Sequence, residues 1–164
     1  MKCVVDTSAV SWLVRIGYES LLKEIYDGIL APQIVFDQLK PHHQTKEFVE
    51  NDLEKIVSLE EDARKFEIIL DKWQKWCGLR DRGDIEVFVA YCFFSDADEV
   101  LFANEGAINV FSVYGGVRDI VSLYRHAEQK SIFERNDTIT YLKTLLNNNY
   151  RTKYIPRLIE SLTS

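Results

Sequence analysis

Apolar positions follow two patterns along this chain. Short unbroken apolar runs stop abruptly at a polar residue, and longer stretches repeat apolar positions every three or four residues. The first run, residues 2–5, is KCVV; it ends on Asp6 and leads into TSAVSWL. It reads as a short buried strand, with Thr7 or Ser8 capping the helix behind it. In ESLLKEIYDG, Leu21, Leu22, Ile25 and Tyr26 fall at helical spacing, and Gly28 reads as the stop. ILAP is a second strand, broken by Pro32, and QIVFDQLK a helix turning away from its end. A further helix is expected after the polar segment PHHQTKE, then a short strand at KIVSL. Residues 60–76 carry Phe66, Ile69, Leu70 and Trp73 on a helical stripe. RDRGD reads as a loop and IEVFVAYCFF, on its length, as a buried helix. EVLFAN reads as a strand closing on Asn104, and NVFSVYG as one more strand. From about residue 116 onward the pattern is helical, interrupted by turns containing Asn and Asp.

Strands that are apolar throughout, alternating with helices, predict an α/β protein: a three-layer α/β/α sandwich around a central parallel sheet. The chain reads as one domain, 1–164, with C-terminal helices from about residue 117 packing on it. Sheets of this kind bind ligands outside the carboxyl ends of their strands. Asp6 stands at one such end, Asn104 and Glu105 at another, and Asp84 follows Gly83 at the start of the VFVAY helix. These positions predict acidic side chains converging above the sheet on a shared divalent cation. Mg²⁺ and Mn²⁺ take hard oxygen ligands, so two or three carboxylates plus water suffice, and such an ion can activate water against a phosphodiester. No Ser/His/Asp arrangement is needed for that chemistry. Asp6 taken alone equally fits a helix N-cap or a loop ion pair.

Composition narrows the picture. Hydrophobic residues make up 46% and charged residues 28%, ordinary for a soluble globular chain. No apolar run approaches the roughly 18 residues of a membrane span. Too few apolar residues follow Lys2 for a signal peptide, so a cytoplasmic protein with no membrane partner is expected. Cys3, Cys77 and Cys92 form no CxxC pair and read as buried free thiols. His42 and His43 read as part of a solvated loop. The net charge of −6 argues against a nucleic-acid coat protein. The charge is uneven: residues 1–120 hold 13 basic and 22 acidic side chains, net −9, and residues 121–164 hold 7 and 4, net +3. The basic tail interleaves Lys143, Arg151, Lys153 and Arg157 with Tyr150 and Tyr154, as a solvated helical surface or a phosphate-contacting edge would. Any RNA contact is then confined to a basic rim from Arg80, Arg82, Arg118 and that tail. Trp73 and Trp76 share a helix face that reads as core or dimer interface, with base stacking as the alternative.

Taken together, VVDTSAV, LAPQIVFDQL, RGDIEVFVA and ADEVLFANEGA resemble, in order and spacing, the motifs of a PIN domain. The likeness is to the small prokaryotic group similar to the ribonuclease toxins of toxin–antitoxin pairs. SIFERNDTITYLKTLL and YIPRLIESL resemble that group's closing helices, so the likeness spans nearly the whole chain. The resemblance implies a parallel α/β/α fold and a hydrolase cleaving RNA with Mg²⁺ or Mn²⁺ held by three or four acids. It also implies an antitoxin protein and a homodimer as partners. Carried over, Asp6 matches the first acid, Asp84 the acid after Gly, and Thr7 or Ser8 the hydroxyl near the metal. Gln38 stands where the second acid is expected, with Asp37 one residue before it. Asn104 stands in place of the last acid, with Glu105 beside it and Glu86 as a further compensating carboxylate. Catalysis is thus assigned to Asp6, Asp84 and Glu105, and metal ligation to these with Asn104. The alternative is a catalytically degenerate module that binds nucleic acid or protein. A HAD-type phosphatase would need an acid where Ser8 stands, and a response-regulator receiver would need an acidic pair before the first strand's Asp.

Overall fold

The computed structural model describes residues 1–77 and 81–164, and these divide into two compact units, 1–120 and 121–164. The first unit is an α/β/α sandwich. Its chain runs β1 (Lys2–Val5), α1 (Thr7–Ile16), α2 (Ser20–Ile25), β2 (Gly28–Ala31), α3 (Gln33–Leu39), α4 (His43–Asn51) and β3 (Glu54–Lys55). It continues through α5 (Val57–Glu61), α6 (Ala63–Cys77), α7 (Arg82–Phe94), β4 (Glu99–Phe102), α8 (Glu105–Phe111) and β5 (Val117–Asp119).

The five strands pair in parallel in the order β3-β2-β1-β4-β5. The apolar sequence of each central strand follows from burial on both faces: Cys3, Val4, Val5, Val100, Leu101 and Phe102 are all inaccessible to water. Cys3 lies opposite Ile29 on one side and Glu99 on the other, so β1 is the centre of the sheet. From β1 the chain winds outward through β2 and β3, then returns to β4 on the other flank of β1. The order therefore reverses between β1 and β4, and at such a switch point the loops part to leave a crevice at the carboxyl edge. Asp6 and Asn104 follow the two strands that border it.

Helices α1, α3 and α4 pack on one another, as do α5, α6 and α7. The second group is rich in rings. Phe88 of α7 stacks on Phe111 of α8 with centroids 4.1 Å apart, and Trp73 packs edge-on against Phe88 and Trp76. Trp76 itself is 71% exposed.

Several local expectations are corrected. The α1 cap is Asp6, not Thr7 or Ser8, because the Asp6 carboxylate accepts from the Ala9 amide. Gly28 opens β2 instead of closing α2, which ends at Ile25 with Tyr26 as its C-cap. At KIVSL, β3 stops at Lys55 and Val57 already begins α5. NVFSVYG is not a strand: Asn104 caps α8 through the Gly106 amide, and Ala107 and Phe111, one turn apart, are buried. The true fifth strand comes later, after Gly115 and Gly116, both with positive φ. His43 starts a helix rather than lying in a loop. Of the cysteines only Cys3 is buried, with Cys77 intermediate and Cys92 exposed, though all are free.

The second unit contains α9 (Leu123–Gln129), α10 (Arg135–Asn147) and α11 (Ile155–Thr163). A reciprocal capping box between Glu134 and Asp137 starts α10. Glu128 of α9 accepts from Thr138 at 2.7 Å and pairs with Arg135 at 3.2 Å, tying α9 to α10. Tyr141, Leu142 and Leu145 form the buried stripe of α10. Among the described residues, no helix is long and apolar enough to cross a membrane.

Candidate functional site

Four chain segments meet in a hollow of about 240 Å³ lined by Asp6, Gln38, Asp81, Asp84 and Asn104, with Thr7 and Ser8 on its wall. Each arrives for a local reason. Asp6 is the first residue beyond β1, and its amide still bonds the Leu101 carbonyl at 3.1 Å, which continues the sheet by one step. Its side chain is only 3% exposed. One carboxylate oxygen accepts from the Ala9 amide at 2.7 Å and the other from the Ser8 hydroxyl at 2.6 Å. Ser8 also accepts from the Ala103 amide at 3.3 Å, which links the ends of β1 and β4.

Asp84 is buried in the first turn of α7, 7% exposed. Its Oδ2 accepts from the Asn104 side-chain amide at 2.8 Å, while the Asn104 Oδ1 accepts from the Gly106 amide at 2.9 Å. Asn104 thus turns its nitrogen, not its oxygen, toward the carboxylates. That oxygen caps α8, and the amide nitrogen serves Asp84 as a neutral donor.

Both carboxyls are pushed up. Asp6 rises to about 7, chiefly because burial disfavours its charge; the Ser8 and Ala9 hydrogen bonds oppose this, and Asp84 adds repulsion. Asp84 rises to about 6, again from burial first and then from the charge of Asp81.

Asp81 is the carboxylate that the sequence reading missed. It caps α7, accepting from the Gly83 amide at 2.8 Å, and lines the same hollow. The signal was present in RDRGD, since Asp81 and Asp84 stand at the three-residue spacing of an N-cap and an acidic N3. Gly83 lies between them, and a Cβ there would stand 3.1 Å from Asp81 Oδ1 and in ordinary contact with Ile34 and Gln38 of α3.

The remaining expected residues are distributed as follows. Thr7 donates to Gln38 Oε1 across the hollow. Asp37, turned about 100° from Gln38 on the same helix, accepts from Gln33 at 2.8 Å and lines a different surface depression with Lys40, Lys46 and Lys55. Glu105 is exposed in the first turn of α8, outside the lining of the hollow. Glu86 is also outside it and pairs with Arg82 at 3.7 Å. Arg82 is bound to α6 as well, through Glu67 at 3.1 Å, Asp71 at 3.4 Å and Gln74 at 2.5 Å. Arg118 lies on β5 and donates to the buried Glu99 at 3.1 Å, which also accepts from the Tyr26 hydroxyl at 2.7 Å. Two of the three expected RNA-contacting arginines are therefore engaged by carboxylates, and Arg80 lies outside the described residues.

Among the described residues, no three His, Cys, Asp or Glu side chains close up into a ready metal cage. The hollow offers two buried carboxylates, a third at its rim, the Gln38 amide and two hydroxyls. No family model, curated protein or solved structure matches this chain.

Proposed function

We propose that the hollow is the centre of a metal-dependent ribonuclease of PIN type, using Mg²⁺ or Mn²⁺. The observation that carries this reading is the pairing of Asp6 with Asp84. Two carboxylates buried side by side at the switch point of a parallel sheet, each pushed up by burial, are costly in an apoprotein, and a divalent cation relieves that cost. The donor set fits. Mg²⁺ commonly uses one or two carboxylates and fills its shell with water and substrate phosphate, so a closed protein cage is not required. Asp6 and Asp84 would hold the ion, with Asp81 at its edge. Bound there, the ion supplies a water of lowered pKa and charge neutralisation at the scissile phosphate.

The protein's own groups have defined parts. Ser8 and the Ala9 amide hold both Asp6 oxygens in place. Asn104 fixes Asp84. Thr7 and Gln38 bring hydrogen-bonding groups to the same hollow. The substrate class is RNA, as the resemblance in motif order and spacing implies. The experiment is cleavage of a labelled single-stranded RNA with Mn²⁺. Wild-type protein cleaves, EDTA abolishes cleavage, and Asp6→Asn or Asp84→Asn reduces it at least 100-fold while the circular dichroism spectrum is kept. Wild-type cleavage rates in Asp6→Asn would overturn the site.

One observation favours a second reading. The Asn104 amide already neutralises part of the Asp84 demand, as it would in a degenerate module that binds RNA or protein without cutting. That reading predicts no Mn²⁺ binding and no cleavage in the wild type.

A further inference from the structure

Trp73 of α6 is the hub of a ring cluster. Trp76 of the same helix meets it with centroids 5.5 Å apart, Phe93 of α7 at 6.2 Å and Tyr114 at 5.5 Å. The three outer rings are open to water: Trp76 is 71% exposed, Phe93 50% and Tyr114 47%. Trp76 lies at 86° to Trp73, so the two are not stacked on each other. The helix that carries them is basic. Its sequence ARKFEIILDKWQKWC holds four basic and two acidic side chains, and both acids, Glu67 and Asp71, pair with Arg82. Lys72, Lys75 and Trp76 fall within about 100° of the helix surface, and all three are exposed. Among the described residues neither Lys72 nor Lys75 forms an ion pair. Two lysines three residues apart repel each other. Asp62, the acid just before the helix, stands at its far end, about 20 Å from Trp76 along the axis. Asp96 and Asp98, the acids that follow Phe93, accept from the ammonium and the amide of Lys2.

We propose that this face of α6 holds single-stranded RNA, with a base stacked on Trp76 and backbone phosphates on Lys72 and Lys75. The inference takes RNA as the substrate class from the reading above and adds the surface that grips it. Charge selects the occupant. Exposed rings beside unpaired cations suit a chain that carries both π-faces and anions, and single-stranded RNA presents one of each per nucleotide. A phosphate between Lys72 and Lys75 relieves their repulsion. A wholly apolar partner would bury both ammonium groups unpaired, which is costly. A second copy seated on this face about a two-fold axis would bring the same rings and lysines. Its α6 would offer no carboxylates beyond the two that Arg82 already holds. The cluster is also close in the fold to the carboxylates: Phe88, 5.4 Å from Trp73 between ring centroids, is one turn of α7 beyond Asp84.

The test is fluorescence anisotropy of a labelled oligouridylate titrated with the full chain in EDTA, where no cleavage intervenes. Trp76→Ala should weaken binding at least fivefold, and Trp76→Phe, which keeps a ring, should restore most of it. Lys72→Gln/Lys75→Gln should also weaken binding at least fivefold and lower the slope of log affinity against log salt by roughly 1. Inorganic polyphosphate, which has charge but no bases, should compete poorly. No binding in the wild type, binding untouched by Trp76→Ala, or full competition by polyphosphate overturns the surface. So does a dimer in sedimentation that Trp76→Ala splits into monomers, because the face then belongs to a second copy. Mn²⁺-dependent cleavage is measured on the same variants. Binding that needs Trp76 and both lysines, with no cleavage, keeps the surface and overturns the nuclease reading alone. Cleavage that needs Asp6 while RNA binding ignores Trp76 overturns the surface alone.

Discussion

Asp6 is buried in a place where the hydrogen bonds from Ser8 and Ala9 only partly offset the loss of water. Its folded pKa is about 7 against an ordinary 3.8, so between these values the folded chain keeps a proton that the unfolded chain has released. Stability then falls as pH rises through that window. In the metal-free protein the contribution of Asp6 should be largest near pH 4, fall by on the order of 3 kcal/mol by pH 7 and level off above it. Asp84 contributes with the same sign up to about pH 6. Asp6→Asn keeps a good N-cap and should flatten most of this dependence, leaving the variant more stable than wild type at pH 8. Urea denaturation of both proteins at a series of pH values with EDTA present reads it; a wild-type stability that does not fall relative to Asp6→Asn between pH 4 and 7 would contradict the assignment. Asn104→Asp makes the complementary point. The new carboxylate can still cap α8, but it replaces a donor to Asp84 with a like charge. The apoprotein should be destabilised at pH 8 by about 1–3 kcal/mol, and Mn²⁺ should bind at least tenfold tighter, by thermal melts and calorimetry. At this scale Asp6 and Asp84 were legible as polar stops beside apolar runs. Asp81 was passed over because RDRGD was read as a loop, although its cap spacing was visible. The orientation of Asn104 was not legible, since an amide's two ends differ only in the hydrogen bonds the fold offers them.

At the scale of elements, burial decided where composition was ambiguous. NVFSVYG is rich in β-branched and aromatic residues and reads as a strand on propensity. Yet Asn104 is placed to cap, and only one side of the following turn is covered: Ala107 and Phe111 are buried while Val113 is 78% exposed. A strand between β4 and its neighbour would have buried both faces. The edge strand β5 was missed because it is only three residues long and sits behind two glycines. Gly116 has φ +70°, and a Cβ there would stand 2.0 Å from the Tyr91 hydroxyl and 3.1 Å from the Asp98 carbonyl. The Gly116 carbonyl accepts from Val100 at 2.9 Å and so sets the register of β5. Gly116→Ala should cost at least about 2 kcal/mol, from strain plus the clash. Adding Tyr91→Phe removes the nearest atom and should recover part of that loss, as denaturation of both variants would reveal. A neutral Gly116→Ala would mean the turn is free to relax.

For the molecule as a whole, the order β3-β2-β1-β4-β5 does most to make a site. It reverses the winding between β1 and β4, so residues far apart in sequence, Asp6, Asp84 and Asn104, arrive in one crevice. The alternation of apolar runs and helical stripes made the parallel sandwich legible, because strands buried on both faces cannot carry polar alternation. The completeness of the acidic cluster was not legible, because Glu105 and Glu86 sit beside the right positions in sequence but on other faces of their helices. The net charge of −6 adds a condition. An anionic chain gathers a polyanion only where a cation stands between them, so the RNA binding proposed above at the carboxylate hollow should depend on the divalent ion. The most direct measurement is a calorimetric titration of the protein with Mn²⁺ at pH 8, repeated on Asp6→Asn/Asp84→Asn. The account predicts micromolar binding in the wild type, weakening as pH falls below about 7, where Asp6 takes up its proton, and absent from the double variant. No heat of binding in the wild type, or equal binding in the double variant, would contradict it.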